Sequence, residues 1–551
     1  MNAVETRVGD LVAAFLERCG VATAFGVISI HNMPILDAIG RRNSLRFVPS
    51  RGEAGAVNMA DAFARVTGGL GVAVTSTGTG AGNAAGALVE AQTAGSPVLH
   101  LTGQVDSPYL DRGRSVIHEA AAQTEMLRAV SKASYRIWSA ETALGVLREA
   151  VRVALTPPRG PVSVELPIDI QKAAAVLPGE SVAPVVIAAQ APDAAALDRI
   201  VERLAAARRP LVWLGGGARH AARAALKLAD LGVGFVTSVN GRGTVPEDHP
   251  MTLGAFNMSP SVEAFYRTCD AMLVVGSRLR GNETRNFAVA LPKPLLQVDV
   301  DPRAEGRAYP TEAFACADAG LALVALADRL KGRLRIDDEF GRDLAAARAA
   351  AEAAMRDGLG PYARLVAELR AGMPRDALWV RDITISNSTW GNRLLKIFDP
   401  RAGVHALGGG IGQCVPMAVG AALAARDRKV IALTGDGGLA LCLAELATAV
   451  QERCDITFLV MNDRGYGVIR NIQDAQYGGR HFYTDVFAPD LADLARAMKL
   501  PHARVDNLDE FTSSLRTAVG TDGPYLLEID MPAIGPFTSK FAGPPVAKPN
   551  S

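Results

Sequence analysis

The sequence lacks the cysteine spacing of a metal-binding or disulfide-rich protein. Its six cysteines form no CxxC pair and no regular framework, although secreted small domains and zinc sites depend on such spacing. The expectation is a reducing compartment in which the thiols stay free. The cysteines are Cys19, Cys269, Cys316, Cys414, Cys442 and Cys454.

Long hydrophobic runs are also missing. No segment reaches the roughly 18 uninterrupted apolar residues that a membrane-spanning helix requires. The first twenty residues, MNAVETRVGDLVAAFLERCG, are charged and amphipathic, unlike a signal peptide with its apolar centre and cleavage site. These features predict a cytoplasmic protein without a membrane partner.

An excess of charge of either sign is absent as well. Lysine and arginine number 58 and aspartate and glutamate 57, so the formal net charge is only +1. A nucleic-acid partner normally requires a basic surface, and we expect none here. Apolar residues make up 49% of the 551 residues, which is typical of a globular chain, and this length predicts about three domains.

What the sequence does contain is a repeated alternation of short apolar strands with amphipathic helices. This alternation predicts an α/β fold of three tandem domains, each with a doubly wound parallel sheet. The predicted domains span 1–172, 190–335 and 365–551. A segment rich in proline and alanine, 173–193, is predicted to be a linker, and 342–372 a helical connector.

The strongest chemical pattern lies in the third domain. Gly435-Asp436-Gly437 is followed by 24 residues and then by Asn462-Asp463, and each motif directly follows a predicted strand. Carboxyl ends of neighbouring parallel strands meet at one edge of a sheet, where ligands bind. Glycines 435, 437 and 438 allow an anion to approach the backbone. Two carboxylates and phosphate oxygens provide the oxygen ligands that Mg²⁺ prefers.

This spacing resembles the signature of thiamine diphosphate enzymes, in which Gly-Asp-Gly precedes Asn-Asn by about two dozen residues. The family is that of the 2-oxoacid decarboxylases and acetolactate-synthase-like enzymes, with a pyrimidine-binding, a central and a diphosphate-binding domain. The resemblance implies that Asp436, Asp463 and the Gly465 carbonyl bind Mg²⁺. Asp463 departs from the family pattern, because it replaces an asparagine, keeps an oxygen donor and adds charge. Further cofactor contacts are expected from Gly435, Gly437, Gly438, Tyr466 and Gly467.

Other segments match the same family in order along the chain. Arg51-Gly52-Glu53 opens a predicted helix like the family's glutamate helix, TSTGTGAGN (75–83) resembles its TSGPGxxN turn, and LTGQ (101–104) resembles a strand end. Each segment alone has an ordinary structural explanation, such as a glycine turn or a helix start. Their order and the spacing of the main motif favour the functional interpretation. The implied cofactor contacts here are Glu53, Gly78 and Asn83.

The resemblance also implies roles around the cofactor. Glu53 would bond the pyrimidine ring and promote formation of the C2 ylid, while GGGIGQCVP (408–416) would hold the cofactor bent, through the Gly409 carbonyl and the Ile411 side chain. Asn387 and Ser388 would reach the diphosphate, although small polar residues after a strand are also common helix caps. Because Glu53 and Asp436 lie in different domains, the family arrangement implies a homodimer or homotetramer with active sites at subunit interfaces.

The substrate side is indicated by His31 and Gln104. A histidine near the reacting carbon can transfer protons at neutral pH, although a single histidine can equally be structural. The pair resembles benzaldehyde-lyase-like carboligases. Two features of acetolactate synthase are missing, since its Gln-Trp pair aligns with Asn471-Ile472 and its central arginine aligns near Asn282. Three glycines at 215–217 are weak support for a nucleotide, so we do not expect FAD.

The sequence therefore predicts a thiamine-diphosphate- and Mg²⁺-dependent lyase or carboligase that acts on a 2-oxo acid or a 2-hydroxy ketone. An aldehyde or ketone would be its further small-molecule substrate. Three alternatives stay open. One is a simple 2-oxoacid decarboxylase or an FAD-dependent acetolactate synthase of the same family. Another is a nicotinamide or flavin oxidoreductase of tandem nucleotide-binding domains, although GTGAGN (78–83) lacks the third glycine of that motif. The last is an inactive relative, which the presence of Glu53 and Asp436 disfavours.

Overall fold

The computed structural model describes residues 6–176 and 184–543. Three sheets follow one another along the chain, and every strand pair within them is parallel. The predicted architecture of three tandem parallel-sheet α/β domains is thus confirmed. The domain limits remain a prediction, and part of the predicted linker, 177–183, lies outside the described residues.

The first sheet has six strands in the spatial order β2-β1-β3-β4-β6-β5. Its strands and their helices are α1 (Val8–Arg18), β1 (Thr23–Gly26), α2 (Met33–Arg42), β2 (Arg46–Pro49), α3 (Glu53–Thr67), β3 (Gly71–Thr75), α4 (Thr79–Ala94), β4 (Val98–Gln104), α5 (Gln123–Val130), β5 (Ala133–Arg136), α6 (Ala140–Leu155), β6 (Val162–Pro167) and α7 (Ile168–Lys172).

The second sheet has five strands in the order β11-β10-β9-β7-β8. Its elements are α8 (Ala194–Ala206), β7 (Pro210–Leu214), α9 (Ala222–Asp230), β8 (Gly234–Thr237), α10 (Pro260–Tyr266), β9 (Ala271–Val275), α11 (Gly281–Thr284), β10 (Leu295–Asp299), β11 (Ala313–Cys316) and α12 (Ala319–Leu330). Where the sequence predicts a helical connector, the chain forms α13 (Phe340–Asp357) and α14 (Tyr362–Gly372).

The third sheet has six strands in the order β13-β12-β14-β15-β17-β16. Its elements are β12 (Leu378–Arg381), β13 (Gly403–His405), α15 (Cys414–Ala424), β14 (Val430–Gly435), α16 (Asp436–Leu441), α17 (Glu445–Gln451), β15 (Ile456–Asn462), α18 (Gly467–Gln476), α19 (Leu491–Ala497), β16 (His502–Val505), α20 (Phe511–Gly520), β17 (Tyr525–Asp530) and α21 (Met531–Ile534).

The first and third sheets share one strand order, counted within each domain. In both, the second strand in sequence lies outside the first and the third strand lies on the other side, so the order reverses beside the first strand. Ligands of open α/β sheets bind at the carboxyl ends of strands at such a reversal. The segments after β1 and β3, and after β12 and β14, are therefore the places to look for a site.

The central strands are largely apolar because both of their faces are buried, whereas the edge strands β2, β5 and β16 are partly exposed. In β15, for example, Ile456 to Met461 are all buried. Sheets of this kind favour β-branched and other apolar residues at every position rather than an alternating pattern. Polar residues at the strand ends are then exceptions that need a partner.

Helices α3 and α15 join the first and third domains through a close contact. A Cβ atom added at Gly420 would lie only 2.2 Å from the Met59 backbone oxygen. Gly420 is therefore required for the two helices to approach, and Val57, Met59, Val415 and Val419 pack in one continuous hydrophobic core. The start of α3 at Glu53 is thereby fixed relative to the third domain.

No helix within the described ranges 6–176 and 184–543 is both long and apolar enough to cross a membrane.

Candidate active site

The two carboxylates of the main motif lie side by side at the edge of the third sheet. Strands β14 and β15 pair in register, with Gly435 opposite Met461, so Asp436 follows one strand where Asn462-Asp463 ends the other. The Asp436 carboxylate accepts hydrogen bonds from the backbone N–H groups of Asp463 (3.2 Å) and Gly465 (2.8 Å). The sequence prediction placed these three residues together, and the structure does bring them together.

Asp463 has a raised pKa of about 7, because it is largely buried and because Asp436 lies beside it. Burial of two neighbouring carboxylates disfavours their joint ionisation unless a cation is present. Arg470, one turn into α18, partly provides that charge. Its Nη2 donates to the Asp463 carbonyl at 2.6 Å and lies 3.5 Å from the Asp463 carboxylate. Sequence reasoning missed Arg470, although an extra acidic residue is itself a signal for a basic partner.

The residues at this edge fit a divalent cation that is coordinated partly by the protein and partly by the oxygens of a bound ligand. The Gly465 carbonyl lies 3.1 Å from the Cβ position of Gly437, on the side of the glycine turn. Within residues 6–176 and 184–543 no cluster of three or more His, Cys, Asp or Glu side chains could hold a metal ion. Two carboxylates and a carbonyl leave several of the usual six positions of Mg²⁺ for phosphate and water oxygens.

The glycines around this edge are required by close contacts. A Cβ at Gly437 would lie 2.8 Å from the Tyr466 ring, and one at Gly467 would lie 1.6 Å from a carboxylate oxygen of Asp463. A Cβ at Gly438 would lie 2.9 Å from the Asp382 carboxylate. The predicted cofactor residues Gly437, Gly438, Tyr466 and Gly467 thus form one packed cradle around the carboxylates. At Gly435, the last residue of β14, a Cβ would make only ordinary van der Waals contacts, the nearest with Thr384 at 3.5 Å.

Asp382, at the end of β12, was missed by the sequence analysis and organises the loop before α15. Its buried carboxylate accepts from the backbone N–H groups of Gly412 (3.1 Å) and Cys414 (3.4 Å). Burial raises its pKa to about 6, and these N–H groups oppose that rise. The loop before α15 also carries Gly409, with φ +87°, and Ile411, which is 40% exposed. Asp382 follows a buried strand, as Asp436 and Asp463 do, so the same signal could have found it.

Polar atoms without partners lie beside this loop. Asn387 and Ser386 are buried, and Asn387 Oδ1 and Ser386 Oγ have no hydrogen-bond partner among residues 6–176 and 184–543. The amide nitrogen of Asn387 is used, since it donates to the Asp382 carbonyl at 2.8 Å. The predicted contact Ser388, directly after Asn387, is half-buried. Buried polar atoms normally have partners, so unpaired ones at a strand end suit the polar part of a bound cofactor.

The predicted residues of the first domain meet at its sheet edge. Glu53, the first residue of α3, accepts a hydrogen bond from the Asn83 side chain at 3.2 Å. Gly78 has φ +59°, and a Cβ there would lie 2.3 Å from the His118 backbone oxygen. Its N–H donates to the Gln123 side chain at 2.6 Å. Glu53, at the start of α3, therefore contacts Asn83 of α4, and Gly78 lies directly before α4. Their roles toward a cofactor stay a prediction.

His31 lies at this edge together with a histidine that the sequence analysis missed. The His31 and His118 rings are 5.1 Å apart between centroids, and His118 Nδ1 is 3.3 Å from Ser76 Oγ. His31 is buried and its Nδ1 has no partner. Burial lowers its pKa, the neighbouring His118 lowers it further, and Asp106 opposes both. No local pattern marks His118, because it lies in an irregular loop.

That loop, 106–122, has an unusual backbone. Four of its residues other than glycine have positive φ angles, and Gly113 does as well. Such conformations cost energy and are often found at functional sites. The four residues are Asp111, Ser115, His118 and Ala122.

Gln104 is less available for contact with a substrate than the sequence suggests, because its side chain already has partners within the first domain. Its amide oxygen accepts from the Thr77 hydroxyl (2.9 Å) and the Val105 N–H (2.8 Å), and its amide nitrogen lies 3.5 Å from Glu165. Because these partners are all in the first domain, Gln104 stabilises the strand edge in this conformation. Its role toward a substrate stays a prediction.

Comparisons with known proteins agree along the whole chain. Three family profiles match, described as the thiamine pyrophosphate enzyme N-terminal TPP binding domain (6–126), central domain (197–326) and C-terminal TPP binding domain (384–529). The chain is 31% identical to the probable 2-ketoarginine decarboxylase AruI of Pseudomonas aeruginosa, covering 95% of this chain and 93% of that one.

The chain belongs to the thiamine pyrophosphate enzyme family. It is also 27% identical to the chloroplastic acetolactate synthase 3 of Brassica napus, over 95% of this chain and 83% of that protein. An X-ray structure of a Mycobacterium smegmatis protein assigned to the thiamin diphosphate-dependent enzymes superposes with a TM-score of 0.79. That pair is 27% identical, and the match covers 95% of this chain and 99% of the other.

Membership of this thiamine pyrophosphate enzyme family confirms the recognition made from Gly435-Asp436-Gly437 and the segments around Glu53. It also confirms a thiamine-diphosphate-dependent enzyme of the lyase or carboligase class. The roles of individual site residues, the metal and the substrate remain to be proposed.

Proposed function

We propose that this enzyme cleaves or forms a carbon–carbon bond next to a carbonyl group, with a 2-oxo acid as its donor substrate. The observation that carries the proposal is that two groups of polar residues meet at sheet edges. Asp436, Asp463 and Gly465 are hydrogen-bonded together in the third domain, and Glu53 is hydrogen-bonded to Asn83 in the first. Thiamine diphosphate, when bound, supplies a nucleophilic carbon that adds to a carbonyl carbon.

The residues of the third domain would bind the diphosphate. Asp436, Asp463 and the Gly465 carbonyl would hold Mg²⁺, whose charge offsets the cost of burying the two carboxylates. Ser386 Oγ and Asn387 Oδ1 have no partner among the described residues. The Ser386 hydroxyl would donate a hydrogen bond to a diphosphate oxygen, and Asn387 Oδ1 would accept one from a water molecule at the same edge.

The residues on the other side would bind and activate the ring end of the cofactor. Glu53 would share a proton with the pyrimidine ring, and Asn83 would hold that carboxylate in place. The Gly409 carbonyl would accept a hydrogen bond from the ring amine, while Ile411 would exclude water beneath the reacting carbon. Because Ile411 is 40% exposed in the single chain, it has surface available for such a contact.

The substrate proposal rests on the wall formed by His31 and His118. Burial and the neighbouring His118 lower the pKa of His31, which favours its neutral form, so that His31 can exchange a proton with a reacting group near neutral pH. Such a pair suits the protonation that must follow loss of carbon dioxide from a 2-oxo acid. The name of the relative AruI also denotes a 2-oxo acid decarboxylase, which supports the same substrate class.

We also propose a homodimer or homotetramer in which Glu53 acts on the cofactor held by Asp436 of a second chain. In the single chain the Glu53 carboxylate is bonded to Asn83 within its own domain. Exposed apolar side chains lie near both edges, including Ile30, Met33, Ile411 and Leu441. Contact with a second copy would cover such side chains.

We propose no function for FAD. The glycine run 215–217 has a structural explanation, since a Cβ at Gly215 would lie 2.1 Å from the Gly276 oxygen and 2.5 Å from Ser277. These glycines allow β7 and β9 to end in close contact, and they do not by themselves indicate a nucleotide.

The test is a titration of the apo-protein with thiamine diphosphate and Mg²⁺, followed by a substrate screen. Pyruvate, benzoylformate, branched 2-oxo acids, 2-ketoarginine and benzoin would be assayed for carbon dioxide, aldehyde or ligated product. We expect turnover of at least one 2-oxo acid, and its loss in Glu53→Gln with folding retained. Full activity of Glu53→Gln, or turnover only of the 2-hydroxy ketone, would contradict the proposal.

A further inference from the structure

We propose that Glu90 of the first domain and Arg280 of the second domain are positioning residues that set the cofactor loop, 408–412, in the third domain. The inference rests on the proposed function, because it assigns this loop to the cofactor. Neither residue belongs to the sequence motifs, and neither touches Asp436, Asp463 or Glu53. Both contact Leu407, the residue immediately before the loop.

Both carboxylate oxygens of Glu90 accept hydrogen bonds from the backbone at the start of the loop. Its Oε1 accepts from the Leu407 N–H at 2.7 Å and its Oε2 from the Gly408 N–H at 2.5 Å. Glu90 is on α4, only 1% exposed, and 317 residues away from Leu407 along the chain. Two backbone donors on one buried carboxylate fix both the position and the orientation of that peptide segment.

A glycine at position 408 is needed for these two hydrogen bonds to Glu90. A Cβ on Gly408 would lie 2.6 Å from Oε2 of Glu90, so a side chain would displace the carboxylate. The first glycine of the GGGI run therefore has a partner in another domain, which a turn alone would not require.

A buried arginine balances the charge of Glu90. Arg65, on α3, donates to Glu90 Oε1 at 3.0 Å, to both oxygens of Asp61 and to the His405 carbonyl at 2.6 Å. Arg65 thus binds the same segment two residues before Leu407. Removing one partner from such a buried network leaves uncompensated polar groups, so the network holds its geometry closely.

Arg280 holds the same segment from the second domain. Its Nη2 donates to the Leu407 carbonyl at 2.6 Å. The N–H of Leu407 is therefore fixed by the first domain and its carbonyl by the second, one residue before the loop and two before Gly409. At the other end, Asp382 holds Gly412 and Cys414. With both ends fixed, the Gly409 carbonyl and Ile411 keep one orientation.

The experiment uses the full-length enzyme with thiamine diphosphate and Mg²⁺. Glu90→Gln keeps the side-chain size but replaces one acceptor oxygen by an NH₂ group that cannot accept from a backbone N–H. Arg280→Met keeps the chain length but removes the donor to Leu407, and Arg280→Lys restores a donor. Arg278→Met is the matched control, because Arg278 donates to the Thr93 carbonyl of the first domain at 3.2 Å and no bond joins it to Leu407.

We expect the dissociation constant for thiamine diphosphate to rise about ten-fold or more in Glu90→Gln and less in Arg280→Met, because the lost bonds are charge-assisted. The kcat at saturating cofactor should fall, whereas the KM for the 2-oxo acid should stay near that of the wild type. The near-UV circular dichroism of the bound cofactor should change in the same variants. Arg280→Lys should recover most of the loss, and Arg278→Met should behave as the wild type.

Wild-type cofactor affinity, kcat and circular dichroism in Arg280→Met would overturn the inference, even if Glu90→Gln fails to fold. An equal loss in Arg278→Met would also overturn it, since any contact between domains would then serve. A wild-type enzyme that binds no thiamine diphosphate would instead reject the proposed function, and the wild type is therefore measured first.

Discussion

At the scale of single residues, the charge of Asp463 leads to a direct prediction. Burial, together with repulsion from Asp436, raises the pKa of Asp463 to about 7. Asp463→Asn should retain binding of Mg²⁺ within a few-fold, because the amide keeps an oxygen donor and, being neutral, is not repelled by Asp436. Asp463→Ala should lose at least about ten-fold in affinity, since one of two carboxylate ligands is gone. Calorimetric titration of the apo-protein with Mg²⁺ and thiamine diphosphate measures both.

Asp474→Asn is the control for this pair, because Asp474 lies on α18, the helix that follows Asp463, but pairs with His481 near the surface. Its metal affinity should match that of the wild type. Equal affinity in Asp463→Ala and the wild type would show that Asp463 is no ligand.

A second prediction at this scale concerns the pKa of His31. Because His118 lowers that pKa and Asp106 raises it, His118→Gln should move the pKa of His31 upward and Asp106→Asn should move it downward. Carbon-13 labelling of the histidine rings, with His31→Gln for assignment, allows both pKa values to be followed by NMR. If His31 acts in its neutral form, the acid limb of kcat/KM should move in the same directions.

Because the two variants should shift the pKa of His31 in opposite directions, the test separates an effect of charge from a general change of structure. A shift in one direction in both variants would mean that a change of structure, rather than the charge of each neighbour, controls His31. Lys172 also lowers the pKa of His31, so Lys172→Met should resemble His118→Gln in sign.

At the scale of helices and strands, the contact between α3 and α15 leaves no space for a side chain at Gly420. Gly420→Ala would place a Cβ 2.2 Å from the Met59 oxygen, and a backbone atom cannot move away by changing rotamer. We expect a loss of about 1–3 kcal/mol or more, as for other overpacked cores. The unfolding temperature from scanning calorimetry is the appropriate measure, because a chain of three domains need not unfold in two states.

Gly145→Ala provides the comparison for that substitution. Gly145 lies within α6 with no atom within 4 Å of its Cβ position, so alanine should be neutral or stabilise by up to about 1 kcal/mol. If both substitutions had the same effect, the close approach of α3 and α15 would not be a constraint.

The elements also show what the sequence could and could not reveal. Asp436 and Asp463 were predicted to meet because each follows a buried strand and carboxyl ends of parallel strands share an edge. The partners of Leu407 and His31 could not be found in that way. Glu90 lies 317 residues from Leu407, and His118 lies in a loop whose shape depends on packing against Gly78. Periodicity reports which face is buried, whereas contacts between domains depend on the completed fold.

At the scale of the whole molecule, a shared active site predicts complementation between two inactive variants. Glu53→Gln and Asp436→Ala each affect every site of their own homodimers. In a mixed dimer, one site carries both substitutions and the other carries neither, if Glu53 of one chain serves Asp436 of the other. Purified through two different tags, that dimer should have about half the activity of the wild type.

The converse arrangement gives a different result. If Glu53 and Asp436 of one chain formed each site, every site in the mixed dimer would contain one substitution and no activity would return. A dimer of wild-type and Glu53→Gln chains, also with about half of its sites intact under either arrangement, confirms that subunits assemble correctly.

The irregular loop 106–122 carries His118, a proposed substrate contact, on a segment separate from the residues proposed for the cofactor. The residues proposed for the cofactor lie mostly at the ends of strands and helices whose geometry is shared with the buried sheets. His118 instead lies on a segment whose left-handed residues give it a shape of its own. We therefore expect exchange of this loop to alter which 2-oxo acid is accepted while leaving the proposed cofactor residues unchanged, so the loop offers a place for redesign.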